Sequence, residues 1–101
     1  MNVITLAGRL QADPARRDTP KGVVATFRLA VTDHKHRLWI DIETWGHLAG
    51  TAAAHLSKGR TVGVTGKLRN KPYTTDGQRR DHWYIAATDI HFLDHRGNSD
   101  E

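Results

Sequence analysis

The chain has 101 residues, no cysteine, and fifteen Lys and Arg against eleven Asp and Glu, for a formal charge of +4. That length holds one small core, the lack of cysteine excludes a disulfide framework or thiolate metal site, and no apolar run approaches the ~20 residues of a membrane span. Residues 1–93 hold fourteen bases and eight acids, leaving +6, a balance that favours an anionic partner.

The chain opens Met-Asn-Val-Ile without a basic segment and apolar stretch, so no signal peptide is expected, and the protein is read as soluble and intracellular. From Asn2 to Leu10, Ile4, Leu6, Gly8 and Leu10 alternate with Thr5, Ala7 and Arg9, which predicts a first strand with Gly8 at a bulge or bend. Asp13-Pro14 ends it. The segment through Thr19-Pro20-Lys21-Gly22 is expected to be a loop, basic through Arg16, Arg17 and Lys21 and closed by a Pro-x-Gly turn.

Val23 to Thr32 predicts a second strand, with Val23, Ala25, Phe27, Leu29 and Val31 inward and Thr26, Arg28 and Thr32 outward. The polar run Asp33-His34-Lys35-His36-Arg37 is consistent with a hairpin into a third strand, Leu38 to Trp45. A helix is expected from Leu48 to Lys58, its stripe made of Leu48, Ala49, Ala52, Ala53 and Leu56, with Gly59 as the residue just past its end. Narrow alanine stripes suit a helix that plugs a small barrel.

Arg60 to Lys71 predicts the fourth strand, and Thr74-Thr75-Asp76-Gly77 a hairpin turn whose tip is made basic by Arg79 and Arg80. The last strand runs from about His82 to Leu93, its register open because Trp83 and Tyr84 cannot both face a core. Residues 94–101 are expected to be a short flexible end, leaving 1–93 as the domain. Five strands with a helix between the third and fourth is the order of the OB-fold, an all-β, five-stranded Greek-key barrel.

The third and fourth strands carry the unusual chemistry. On one face of the third lie Leu38, Ile40 and Ile42; on the other lie Trp39, Asp41, Glu43 and Trp45. The fourth turns Val62, Val64 and Leu68 one way and Thr65, Lys67, Arg69 and Lys71 the other, a parity that Tyr73 continues. A basic strand face is often only solvated. Two consecutive strands that pair aromatics with bases favour a surface for single-stranded nucleic acid, bases stacking on rings and cations following phosphates. Candidate stacking residues are Trp39, Trp45 and Tyr73; candidate phosphate contacts are Arg9, Arg28, Lys67, Arg69, Lys71, Arg79 and Arg80.

Along nearly all of residues 2–93 the sequence resembles the bacterial single-stranded DNA-binding protein family. The resemblance rests on Asn2-Val3-Ile4-Thr5-Leu6-Ala7-Gly8-Arg9-Leu10 with Asp13-Pro14, then Thr19-Pro20-Lys21-Gly22 and Ala25-Thr26-Phe27-Arg28-Leu29-Ala30. Trp45-Gly46-His47-Leu48-Ala49, Leu56-Ser57-Lys58-Gly59, Gly66-Lys67-Leu68-Arg69 and Ile90-His91-Phe92-Leu93 complete it in order. It implies an OB-fold that wraps single-stranded DNA without sequence preference in replication, recombination and repair. It also implies a homotetramer (a dimer is the alternative) in the bacterial cytoplasm, associated with the nucleoid, with base-stacking aromatics at Trp39, Trp45 and Tyr73. Three departures stand out. His34-Lys35-His36-Arg37 occupies a loop where the family often has another tryptophan, and Asp41 and Glu43 put negative charge beside the rings. The sequence ends Asn98-Ser99-Asp100-Glu101 rather than in a long linker and an acidic Pro-Phe tip, so weak or no tail-mediated recruitment of replication and repair proteins is expected.

Other chemistries find less support. His34-x-His36 lacks a third ligand, so no metal or other cofactor is expected. Asp41 and Glu43 alone are thin support for a metal-dependent nuclease, which needs convergent carboxylates, a metal and a positioned water. An enzyme is therefore not expected, nor a membrane partner. The readings left open beside strand wrapping are a dimeric primosomal replication-restart adaptor and an OB-fold RNA-binding module.

Overall fold

The alternating segments become strands because each has one apolar face to bury. The computed structural model describes residues 1–93; the C-terminal end expected over 94–101 lies outside them. In chain order the elements are β1 (Ile4–Leu10), β2 (Ala15–Thr19), β3 (Gly22–Asp33), β4 (His36–Trp45) and α1 (Gly46–His55). They continue with β5 (Thr61–Asn70), β6 (Tyr73–Thr75), β7 (Gln78–Arg80) and β8 (Trp83–Phe92). The main sheet has the order β1-β5-β8-β4-β3-β2, and Arg9 and Leu10 of β1 pair with Ala30 and Leu29 of β3. That last pairing closes β1, β5, β8, β4 and β3 into the five-stranded barrel of an OB-fold. β4 and β8 run parallel, Asp41 opposite Tyr84 and Glu43 opposite Ala86; the other pairings of this sheet are antiparallel.

Inward residues of every barrel strand form one cluster: Leu10, Phe27, Leu29, Ile42, Val62, Val64 and Ile85 among them, with Ala49, Ala52 and Leu56 from the helix side. The small stripe lets α1 approach the barrel closely. Thr44, buried among them, satisfies its hydroxyl by donating to the Ala25 carbonyl at 2.7 Å. Two glycines permit the tightest strand contacts. A Cβ on Gly8 would lie 2.2 Å from the Ala30 carbonyl oxygen at the β1–β3 seam, and one on Gly66 would lie 2.3 Å from that of Ala86. No described helix is long and apolar enough to cross a membrane.

Several boundaries differ from the sequence reading. Ala15–Thr19, expected as loop, is a strand paired with β3 along Ala15↔Thr26 to Thr19↔Gly22. It adds to the sheet outside the barrel and is exposed on both faces over Ala15–Asp18, so it needs no apolar alternation. The helix begins at Gly46 and ends at His55, earlier at both ends than the expected 48–58; Leu56 is its C-cap. Gly59 is instead in the turn to β5, its N–H donating to the Leu10 carbonyl. Leu38 and Leu68 have inward parity yet are 45% and 38% exposed, because both strands overshoot the barrel.

Candidate nucleic-acid interface

Residues directly opposite each other on paired strands share a face, so the registers fix which side chains meet. On the outer face of β4 they define cross-strand rows. Trp45 lies beside Val24 of β3, and Val24 beside Arg17 of β2. Glu43 lies between Thr26 of β3 and Ala86 of β8, and Ala86 faces Lys67 of β5. Asp41 lies between Arg28 and Tyr84, and Tyr84 faces Arg69. Trp39 lies beside Ala30, and Ala30 beside Arg9. Trp39 and Trp45 are 49% and 41% exposed, so neither ring belongs to the core.

The arm beyond the barrel extends this face. β5 and β8 pair in register from Gly66↔Ala87 to Asn70↔Trp83, Lys71 and His82 exchange backbone hydrogen bonds, and Tyr73↔Arg80 to Thr75↔Gln78 follow in the same count. Asp76 and Gly77 close the ribbon with φ of 52° and 75°, the two positive values a type I′ turn requires. Alternation therefore gives Lys67, Arg69, Lys71 and Tyr73 one side, with Tyr84, His82 and Arg80 opposite them. Arg79 pairs with Thr74 and takes the other side of the arm. Of the sequence candidates, Arg79 alone is turned from the shared face.

Asp41 and Glu43 do not stand bare beside the rings. Arg28 donates through Nε to Asp41 Oδ1 at 2.9 Å, and His82 Nε2 lies 2.6 Å from Asp41 Oδ2. Partial burial alone would raise the Asp41 carboxyl, but the hydrogen bonds and charges of Arg28 and His82 outweigh it and hold the group below its ordinary value. Asp41 in turn raises the Arg28 guanidinium. Glu43 Oε1 accepts from the Trp45 indole N–H at 2.8 Å, and Lys71 Nζ lies 3.5 Å from its Oε2. Glu43 thereby orients the Trp45 ring as well as offsetting a cation.

Between these side chains runs an open groove of about 320 Å³, walled by Thr26 and Arg28, Asp41 and Glu43, and Lys71, His82 and Tyr84. Sequence reasoning missed His82 and Tyr84 as members of this face, along with Arg17, which lines the groove, and Arg37, which shares a depression with Arg9 and Ala30. For Tyr84 a signal existed: counting back from the Asp76-Gly77 turn pairs it with Arg69. The same count pairs His82 with Lys71; its contact with Asp41, forty-one residues away, carries no such signal. Among the described residues no three His, Asp or Glu side chains gather into a metal site.

This barrel, with exposed indoles and cations on one face, invites comparison with known proteins, and the model of the single-strand binding protein family matches residues 1–93. The chain belongs to the single-strand binding protein family. It is 36% identical over 104 residues to "Single-stranded DNA-binding protein 3" of Clostridium acetobutylicum, covering 93% of this chain and 72% of that relative. It is 36% identical over 110 residues to the single-stranded DNA-binding protein of Bacillus cereus, covering all of this chain and 65% of that one. The crystal structure of a small single-stranded DNA-binding protein from Streptomyces coelicolor superposes with a TM-score of 0.80 at 30% identity, covering 92% of this chain and 97% of the other. Membership in this family makes the chain a binding protein and not an enzyme.

Proposed function

We propose that the chain binds single-stranded DNA without sequence specificity and protects it in the cytoplasm during replication, recombination and repair. Bases stack on Trp39, Trp45 and Tyr73; phosphates meet Arg9, Arg28, Lys67, Arg69, Lys71 and Arg80, with Arg79 serving strand that passes the far side of the arm. The observation that carries this reading is the outer face of β4, where two half-exposed indoles share one side with the cations of β3 and β5. Rings accept any base, and long cations follow any backbone, which makes such a face tolerant of sequence. The names of the relatives point the same way.

A homotetramer belongs to the same proposal. Its support is the edge of β1: among the described residues it pairs with β3 only at Arg9 and Leu10, and no strand lies on that side of Ile4 to Gly8. Exposed strand edges invite pairing with another copy. Titrating tryptophan fluorescence with poly-dT, duplex DNA and RNA tests the function: quenching by poly-dT at far lower concentration than by duplex or RNA is expected, and equal response to duplex or a preference for RNA refutes it. Light scattering on the same sample tests the assembly. A monomer rules the tetramer out, and a stable dimer favours the adaptor reading.

A further inference from the structure

Between Trp39 and Trp45 the outer face of β4 offers only carboxylates. The two indoles are six positions apart along the strand, about 20 Å at ~3.3 Å per residue. A DNA strand passing from one ring to the other crosses a stretch where β4 supplies no flat surface. β8 supplies one. Tyr84 sits opposite Asp41, two residues along from Trp39 (roughly 7 Å) and one strand over (about 4.8 Å). Its ring stacks loosely on His82, centroids 5.8 Å apart at 28°, and the Lys71 ammonium lies 5.1 Å from its centroid.

We propose that Tyr84 is a fourth base-stacking platform, and that the groove beside it seats one nucleotide of a bound single strand, base on the phenol ring and phosphate on Arg28 and Lys71. This rests on the single-stranded DNA reading above and adds a position to it. Tyr84 is partly exposed and stands outside the core cluster, so its ring is available to a ligand. The groove, about 320 Å³, is at the low end of the ~300–1,000 Å³ usual for small-molecule sites, room for one nucleotide. Both neighbours of the ring yield without disturbing the barrel: His82 and Lys71 are exposed side chains on the arm. A base that stacks on Tyr84 displaces the Lys71 ammonium from the ring and leaves it for the adjacent phosphate. The platform joins Trp39 to Trp45 into one path across the sheet.

The test is photocrosslinking of the wild-type chain to oligo-dT carrying 5-iododeoxyuridine, with adducts mapped by mass spectrometry, beside the affinities of Tyr84→Leu and Tyr84→Phe. An adduct on Tyr84 as well as on Trp39 is expected. Tyr84→Leu, which keeps an apolar side chain but no ring, should lose about 5- to 150-fold in affinity with an unchanged salt slope, and Tyr84→Phe should bind as wild type. Adducts on Trp39 but none on Tyr84 overturn the proposal, as does wild-type affinity in Tyr84→Leu. Either result leaves the DNA-binding reading standing; a wild-type chain that does not bind oligo-dT at all defeats that reading first.

Discussion

Replacing Asp41 with Asn removes the negative charge that holds both Arg28 and His82 on the groove face. The neutral amide still accepts a hydrogen bond, so the barrel is undisturbed, but the guanidinium is no longer ion-paired. Arg28 is 57% exposed along its side chain and lies on the row between the two tryptophans, within reach of a bound backbone. With the carboxylate gone Arg28 meets its phosphate as an uncompensated cation, which steepens the dependence of log K on log salt by about 0.7 for a single strand. Between ~50 and ~200 mM salt, a fourfold change, that is about 2.6-fold in affinity. Asp41→Asn should therefore bind oligo-dT more tightly than wild type at low salt, and its advantage should shrink by about 2.6-fold over that range. Fluorescence titrations of both proteins at four salt concentrations measure this. An unchanged slope would show that Asp41 does not offset the charge Arg28 brings to a phosphate. Weaker binding by the variant would contradict this, meaning that Asp41 serves binding more by placing Arg28 and His82 than it costs by cancelling charge.

The same carboxylate sets a pH dependence. Its folded value lies below its unfolded one, so the stability it contributes is present above the unfolded value of about 3.9 and is lost as pH falls through the folded value. As pH falls below about 4 the difference in melting temperature between wild type and Asp41→Asn should shrink; a difference that persists well below that range contradicts this. Gly8→Ala places a methyl 2.2 Å from the Ala30 carbonyl oxygen, and prying β1 from β3 should cost about 1–3 kcal/mol in urea unfolding. Unfolding at the wild-type midpoint would mean the seam is loose.

Most of the barrel was legible because β1, β3, β4 and β5 alternate cleanly, and the Asp76-Gly77 turn announced its hairpin. Ala15–Thr19 was not, since Ala-Arg-Arg-Asp-Thr has no apolar face to read: its hydrogen bonds to β3, not burial, make it a strand. Val24 escaped for the opposite reason. It has outward parity but is buried between the Arg17 and Trp45 positions. The last strand resisted because a register shift opposite Thr65 and Gly66 makes β8 change faces, so Ile85 and Ile90 both turn inward despite opposite parity. Trp83 then has the parity of Ile85 but lies past the barrel's end, 52% exposed, and Tyr84 falls to the groove. The sequence showed acids beside the tryptophans. It could not show that they hold Arg28, His82, Lys71 and the Trp45 indole, because most of those partners come from other strands.

Contact between bases and the outer face of β4 is the centre of the proposed binding mode. Its most direct test is the affinity of Trp39→Ala for oligo-dT, taken on protein whose melting temperature and solution mass are also measured. Trp39 is half exposed and packs into no core cluster, so both should equal wild type. Affinity should fall by about 1–3 kcal/mol, the worth of one base–aromatic stack, with little change in salt slope. Wild-type affinity in a folded variant, or a loss of melting temperature or mass that accounts for weakened binding, would contradict it.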